Sequence, residues 1–267
     1  MQAFQLPTPA GPRFAILHEP TGRAAGAVLL VPPFAEEMNK CRRIAALQAR
    51  AFAAAGFAVL SVDLLGTGDS PGDFGDATWA AWVADLHAAR DWLRARIDAP
   101  LWLWGVRAGC LLASALEGNE ARVYWQPVLS GRLYLQQFLR ISVVRERTGE
   151  ATEGASNVRA LRAALAAGES LEVAGYTITP ALAQALEAAE LGAAPARTLW
   201  FEVSPAETPQ LLPVSVQRIE AWRAQGCTIE AAAIQGLQFW QTQEITVCDE
   251  LVRRTTEAVG AATRSPR

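Results

Sequence analysis

Short apolar runs alternate with longer amphipathic stretches through the first part of the chain. Residues 27–31 and 57–63 are apolar runs typical of strands that are buried on both faces. Between them, residues 39–55 repeat apolar positions every three to four residues, and Gly56 follows where a helix would end. This strand, helix, strand order predicts a βαβ unit, which requires a right-handed crossover and a parallel sheet covered by helices.

The same alternation continues along the chain, with one interruption. Further strands are predicted at residues 14–18, 101–104, 123–128, 198–203 and 227–232, and further helices at residues 78–96, 107–116, 213–225 and 246–259. The interruption, from residue 130 to about residue 191, is helical or irregular and has no strong strand signal. The pattern predicts the α/β fold class: a mostly parallel central sheet flanked by helices, with a mainly helical cap insertion. We assign the core to residues 1–129 and 192–267 and the cap to residues 130–191.

Composition narrows the class of protein. The 267 residues are 51% hydrophobic and 19% charged, which is enough to bury a single core of α/β size. The formal net charge of -3 disfavours a nucleic-acid partner. The amino terminus has neither a basic nor an apolar signal region, and the apolar runs are shorter than the roughly 20 residues that a membrane helix needs. We therefore expect a cytoplasmic protein with no transmembrane segment.

The four cysteines show no spacing that indicates a metal site or a redox motif. Cys41, Cys110, Cys227 and Cys248 are widely separated, and no C-x-x-C is present. Reduced, mostly buried thiols are therefore expected.

The glycine-rich turn at residues 66–70 lacks the full G-x-G-x-x-G pattern of a dinucleotide site. We expect neither a metal nor a cofactor.

The segment Gly105-Val106-Arg107-Ala108-Gly109 has the spacing of a hydrolase nucleophile elbow, with arginine in the place of the nucleophile. Such an elbow is a strained strand-to-helix turn that presents its central side chain to a pocket. Arginine cannot attack a carbonyl, but its five-donor fork binds carboxylate or phosphate groups. Arg107 is therefore predicted to hold a ligand rather than to form an acyl-enzyme.

Other segments strengthen the likeness to hydrolases. The Gly-Phe opening at residues 56–57 and the G-x-G-x-S turn at residues 66–70 resemble the corresponding segment of α/β-hydrolases. Residues 32–40, 103–110 and 239–245 together resemble the exosortase A system-associated hydrolase 2 family. That resemblance implies an α/β-hydrolase fold and a bacterial context of exopolysaccharide production and protein sorting, including a protein partner from that machinery. It does not imply a particular substrate.

The usual catalytic triad is incomplete in this sequence. In this fold the nucleophile precedes an acid, and a histidine near the carboxyl terminus acts as the base. The chain contains only His18 and His87, and both precede the elbow. Gln238 stands in the loop where the histidine is expected, and glutamine cannot accept a proton near neutral pH. Glu202 or Glu207 stands near the position of the acid.

Several further residues are candidates for catalysis or for ligand binding. Glu36 and Glu37 occupy the loop region beside the elbow. One of them either neutralises Arg107, or joins it in recognising a hydroxylated or zwitterionic ligand, or acts as a general acid/base in a noncanonical reaction. Cys110 and Ser130 are the nearest replacement nucleophiles, and neither has a histidine placed to activate it. Trp125, Phe239 and Trp240 are candidates for an aromatic pocket wall.

Two functions remain open. In the first, the protein binds an anionic, glycan or acyl ligand through Arg107, Glu36, Gln238 and the aromatic wall, without ordinary serine-hydrolase catalysis. In the second, it is an active hydrolase or transferase of ester, thioester or glycan-linked substrates. The second function would use a noncanonical set drawn from Arg107, Glu36, Glu37, Cys110, Ser130 and Glu202. The oligomeric state is left open by the sequence.

Overall fold

The computed structural model describes residues 1–148, 158–193 and 197–264. The strands are β1 (Gln2–Leu6), β2 (Arg13–His18), β3 (Gly26–Val31), β4 (Phe57–Val62), β5 (Leu101–Val106), β6 (Ala121–Trp125), β7 (Leu171–Val173), β8 (Tyr176–Ile178), β9 (Thr198–Ser204) and β10 (Ile229–Gln235). The helices are α1 (Glu36–Ala54), α2 (Trp79–Arg96), α3 (Gly109–Ala115), α4 (Gly131–Thr148), α5 (Val158–Ala166), α6 (Pro180–Ala188), α7 (Pro213–Ala224) and α8 (Asp249–Arg264). Residues 149–157 of the predicted cap, and residues 194–196 and 265–267 of the predicted core, lie outside the described residues.

Eight of the described strands form one sheet in the order β1-β2-β4-β3-β5-β6-β9-β10. The strands from β4 to β10 in this order pair in parallel, whereas β1 with β2 and β2 with β4 are antiparallel. The mostly parallel sheet predicted from the apolar runs is confirmed. Because β3, β5, β6 and β9 run in the same direction, the loops that follow them meet at one edge of the sheet.

Two apolar layers cover the sheet. On one face Trp104 of β5 and Trp125 of β6 pack with side chains of α1 and α8. On the other face Tyr124 of β6 and Trp200 of β9 pack with side chains of α2, α3 and α7. Side chains of successive strand residues point to opposite faces, so each central strand contributes to both layers. This double burial explains why the central strands are continuous apolar runs.

The boundaries of several elements differ from the sequence predictions. Helix α3 begins at Gly109 rather than at residue 107, because Arg107 has a left-handed backbone with a φ of 54°. The strand predicted at residues 227–232 lies at Ile229–Gln235 instead. Strand β1 was not predicted, because it is a mostly exposed edge strand with no strong apolar run.

The segment between β6 and β9 contains α4, α5, a hairpin of β7 and β8, and α6. Helix α4 packs against α6, and Tyr134, Leu182 and Leu186 contribute to the same apolar layer as α2 and α3. The expectation that this segment lacks strands was wrong. The two strands are only three residues long, and so short a run gives little periodic signal.

The β7–β8 turn supports a stability prediction. Its two central residues, Ala174 and Gly175, have φ angles of 53° and 83°, as in a type I′ turn. Asparagine tolerates this conformation better than alanine does, so Ala174→Asn is expected to raise the free energy of unfolding by about 0.5–1 kcal/mol. Urea denaturation measures the change. The same exchange in the middle of α6, Ala185→Asn, is expected to lower stability, because asparagine is a poorer helix former. A loss of stability in both variants would contradict the turn assignment.

Candidate functional site

The elbow is a tight turn that joins β5 to α3. Arg107 has a φ of 54°, and its backbone N–H donates to the carbonyl of Trp125 at 2.9 Å. The two flanking glycines are required sterically. A Cβ atom at Gly105 would lie 2.8 Å from Cα of Cys110, and one at Gly109 would lie 2.4 Å from the carbonyl oxygen of Pro32. The G-x-x-x-G spacing therefore reflects real backbone crowding around position 107.

Glu37, in the first turn of α1, binds the guanidinium of Arg107. Arg107 Nε and Nη2 donate to Glu37 Oε1 at 3.1 Å and 3.0 Å. A carboxylate is favoured in that turn because the amino end of a helix carries partial positive charge. Arg107 Nη1 donates to the carbonyl of Gln126 at 3.2 Å. Because these contacts use three of the five N–H groups of an arginine, one N–H remains on each terminal nitrogen.

Tyr134 of α4 completes a three-residue network with Arg107 and Glu37. Its ring centre lies 5.9 Å from the guanidinium carbon of Arg107, and burial together with the Glu37 carboxylate raises the pKa of its phenol. Burial opposes the charge on Arg107, but Glu37 and Tyr134 outweigh that effect and raise the pKa of the guanidinium. At neutral pH the network therefore contains an arginine cation and a neutral tyrosine around one carboxylate.

A cavity of about 340 Å³ opens beside this network. At its wall Lys40 Nζ and Glu36 Oε1 form an ion pair at 3.0 Å, one helical turn apart on α1. The Arg107 guanidinium carbon also lies 5.0 Å from the ring centre of Trp240. The lining residues are Glu36, Glu37, Lys40, Arg107, Tyr134, Gln137, Phe138, Ile141, Trp240 and Gln241. The wall thus combines two paired cations and two carboxylates with amide and apolar side chains.

Trp240 is the member of the proposed aromatic wall that lines this cavity, whereas Trp125 and Phe239 do not. Trp125 is fully buried between Trp104 and Phe239, and its Nε1 donates to Thr255 Oγ1 at 2.9 Å. Phe239 has no exposed surface and belongs to the same apolar layer. Strand alternation aims Trp125 at the core.

The loop after β10 contributes a different amide from the one predicted. Gln241 lines the cavity, whereas Gln238 does not. A turn separates them, in which the N–H of Gln241 donates to the carbonyl of Gln238 at 2.8 Å. The placement of Gln238 at the pocket is therefore corrected, because this turn brings residue 241 to the wall.

Glu202 is a structural residue in this geometry. It is 3% exposed on β9, and one oxygen accepts from Trp200 Nε1 at 3.0 Å. The other oxygen accepts from the backbone N–H of Leu212 at 2.7 Å. Both oxygens are thus occupied, which removes the basis for Glu202 as a catalytic candidate. Glu207, the other candidate acid, is exposed in the loop after β9.

The replacement nucleophiles are also placed away from any catalytic arrangement. Cys110 has no exposed surface, and burial raises the pKa of its thiol well above the ordinary value. A thiolate is the reactive form of cysteine, so this environment suppresses its nucleophilicity. Ser130 donates to Glu190 Oε1 at 2.7 Å, near the start of α4. Neither side chain lines the cavity.

The two histidines lie elsewhere in the fold. His18 pairs with Val59, near the amino end of β4, whereas Arg107 follows the carboxyl end of β5. Burial lowers the pKa of His18, so the ring is neutral at pH 7. His87 is a half-buried residue on α2. Within the described ranges no group of three or more potential metal ligands occurs, and no helix there is long and apolar enough to span a membrane.

Six cavity residues were not identified from the sequence, namely Lys40, Tyr134, Gln137, Phe138, Ile141 and Gln241. Lys40 follows Glu36 at a spacing of four residues, which is a signal for a helical ion pair. Tyr134 and Gln137 lie on α4, whose approach to the elbow is set by tertiary packing. Their recognition requires the structure.

The sheet, its flanking helices and the strained elbow define an α/β-hydrolase fold. The family model for X-Pro dipeptidyl-peptidase (S15 family) matches residues 12–133, which include the elbow and less than half of the chain. No curated protein matches the sequence.

Solved structures support the same fold. Est1E from Butyrivibrio proteoclasticus, solved with ferulic acid bound, is 16% identical, with 97% of each chain covered and a TM-score of 0.63. A carboxyl esterase from Bacillus coagulans, solved with glycerol, is 16% identical, with 98% of each chain covered and a TM-score of 0.62. An α/β serine hydrolase without lid from Xanthomonas campestris is 16% identical over 100% of this chain and 96% of that one, with a TM-score of 0.59.

Proposed function

We propose that this protein is a noncatalytic α/β-hydrolase-fold protein that binds a hydroxylated, glycan-type ligand in the cavity beside Arg107. The observation that carries the proposal is the engagement of Arg107. The elbow presents this arginine at the cavity wall, and Glu37 and the Gln126 carbonyl fix its orientation. In this fold the nucleophile stands at the centre of the elbow, and here arginine occupies that position.

The charge balance of the cavity favours a neutral polar ligand over an anion. Arg107 is paired with Glu37, and Lys40 is paired with Glu36, so the wall carries no excess positive charge. Carboxylate oxygens accept hydrogen bonds from hydroxyl groups, while the remaining Arg107 N–H groups donate to hydroxyl oxygens. The mixture of charged, amide and apolar side chains suits a polyhydroxylated ring better than a phosphate or a fatty acyl chain.

The alternative is an active hydrolase or transferase with a noncanonical site. Its best candidates would be Glu36 and Glu37 at the cavity, because burial suppresses the thiolate of Cys110 and hydrogen bonds occupy both oxygens of Glu202. Both carboxylates are already bound to a cation, Glu37 to Arg107 and Glu36 to Lys40. These contacts favour binding over turnover.

We further propose the setting that the family resemblance implies. The ligand would then be a piece of a bacterial exopolysaccharide, handled in the cytoplasm together with a protein of the exosortase machinery. Residues 130–191 would act as a cap, and the contact of Tyr134 with Glu37 supports that role because it joins α4 to the cavity wall.

Thermal unfolding with defined ligands tests the binding proposal. Cellotriose or the trimer of N-acetylglucosamine is expected to raise Tm in a saturable way, because a ligand that binds only the folded state stabilises it. Glu36→Gln is expected to weaken the affinity about tenfold or more, since hydrogen bonds to charged groups contribute about 1.5–3 kcal/mol. Glu19→Gln is a matched control, because Glu19 is exposed and does not line the cavity.

The same samples separate the proposal from its alternatives. Glucose 6-phosphate and decanoate replace the trisaccharides in parallel scans, and p-nitrophenyl acetate and an acyl thioester report turnover. If only glucose 6-phosphate or only decanoate raises Tm, the ligand is an anion or an acyl chain and not a hydroxylated ring. Turnover above the buffer rate that is lost in Arg107→Ala and Glu36→Ala would establish the enzyme instead. A protein that is inert and unshifted by every compound would refute saccharide binding.

A further inference from the structure

A second group of buried polar side chains is centred on Arg122, near the amino end of β6. Arg122 and Tyr124 are two residues apart on β6, so they point to the same face. Thr198, the first residue of β9, is the direct neighbour of Arg122 in the parallel register. All three face the layer that is covered by α2, α3 and α7. Arg122 and Thr198 lie at the amino ends of their strands, and Tyr124 lies one residue before the carboxyl end of β6.

Arg122 is buried without a countercharge. It is 2% exposed, and its single hydrogen bond joins Nη2 to the carbonyl of Leu116 at 3.0 Å. Nε and Nη1, which together carry three N–H groups, have no partner among the described residues. No ion pair joins Arg122 to a carboxylate in the described part of the chain. A buried guanidinium in this state is strongly disfavoured unless another negative charge compensates it.

Two hydroxyl groups beside Arg122 are also unpartnered. Tyr124 has no exposed surface and Thr198 is 1% exposed, yet neither hydroxyl has a hydrogen-bond partner in the described structure. Burial raises the pKa of Tyr124, and the charge of Arg122 acts in the opposite direction. The group therefore offers N–H and O–H donors from three side chains and no acidic side chain.

Glu120, two residues before Arg122 in the chain, pairs with other cations. Glu120 Oε1 accepts from Arg94 Nη2 at 2.5 Å and lies 3.7 Å from Arg90 Nη1. Glu120 is thus paired with two other guanidinium groups, and no ion pair joins it to Arg122 among the described residues. Glu120 Oε2 has no partner, so a water bridge from Arg122 to this oxygen is the competing arrangement.

We propose that Arg122, Tyr124 and Thr198 form a buried site for a small monovalent anion of the halide type. The anion would accept hydrogen bonds from the unpartnered N–H and O–H groups and neutralise the guanidinium. A halide fits this set because it is a spherical acceptor with one negative charge, which needs no donor of its own. The site would be structural, because none of the three residues lines the Arg107 cavity.

Halide-dependent thermal stability tests this site. Tm is measured in sodium chloride, sodium bromide and sodium gluconate at the same ionic strength. Chloride and bromide are expected to raise Tm by about 3 °C for each tenfold increase above the dissociation constant, and gluconate is not. Thr198→Val and Tyr124→Phe keep the volume and remove one donor each, so each is expected to weaken the halide dependence.

Two further variants make the result specific. Arg122→Met is expected to abolish the halide dependence, whereas Lys40→Met, at the other cavity, is expected to leave it unchanged. Equal Tm values of the wild-type protein in chloride and gluconate would overturn the proposal and favour a water bridge to Glu120. A halide shift that survives in Thr198→Val and Tyr124→Phe but disappears in Lys40→Met would move the anion to the Arg107 cavity and would also overturn it.

Discussion

Replacement of Arg107 by methionine is expected to lower the free energy of unfolding by about 3 kcal/mol, because it leaves the Glu37 carboxylate without its cation in a largely buried position. Tyr134 alone would then stabilise that charge. Urea denaturation at pH 7 measures the loss. The geometry makes a large effect reasonable, because Arg107 is 11% exposed and Glu37 is 16% exposed, so water replaces the lost partner poorly.

A double-mutant cycle tests whether this loss of stability comes from the ion pair between Arg107 and Glu37. Glu37→Gln removes the carboxylate, and the double variant Arg107→Met, Glu37→Gln is expected to be more stable than the sum of the single effects predicts. Arg253→Met is the matched control. Arg253 pairs with Glu250 and Glu257 on the exposed face of α8, and its removal is expected to have no measurable effect. Additive single effects, or an equal loss in Arg253→Met, would contradict the buried pair.

Alkaline pH is expected to destabilise the protein by about 4 kcal/mol between pH 7 and pH 10. Burial raises the pKa values of Cys41, Cys110, Tyr124 and Tyr134 above the ordinary values of 9.0 for a thiol and 10.0 for a phenol. In the unfolded chain these groups release their protons near pH 9 to 10, whereas the folded protein keeps them. Their contribution to stability is therefore complete below pH 9 and is lost as the pH rises.

The variant Cys110→Ala isolates one of these contributions. Its cavity lowers stability equally at every pH, but the loss between pH 7 and pH 10 is expected to shrink by about 1.4 kcal/mol, since one ionising thiol is gone. Unfolding free energies from urea titrations at half-unit pH steps provide the comparison. An unchanged pH dependence in Cys110→Ala would show that the alkaline loss comes from other groups.

The sequence predicted the central part of the fold well, because those elements are defined by local patterns. Strands buried on both faces are continuous apolar runs, and amphipathic helices separate them along the chain. Peripheral elements were harder. Strand β1 is a mostly exposed edge with mixed polarity, and the β7–β8 hairpin depends on a two-residue turn in which alanine adopts a positive φ. Such elements depend on tertiary context more than on periodicity.

The candidate site also has parts that the sequence predicts and parts that depend on tertiary packing. The elbow and its arginine follow from the spacing of two glycines, and the pairing of Arg107 with a glutamate of the neighbouring loop region is one of the interpretations that the sequence allows. The contact of Tyr134 with Glu37 joins positions 97 apart in the chain, and no local pattern encodes it. Gln241 lines the cavity in place of the predicted Gln238 because of the geometry of one turn.

The crowded glycines of the elbow have a consequence for protein engineering. Because the contacts of Gly105 and Gly109 with neighbouring backbone fix the turn, the direction of the side chain at position 107 is set by the main chain and does not depend on which residue stands there. Position 107 is thus a rigid attachment point aimed at a ready-made cavity. A designer who supplies a neutral residue at position 37 together with a new side chain at position 107 would obtain a defined place to install a chemical group on this scaffold.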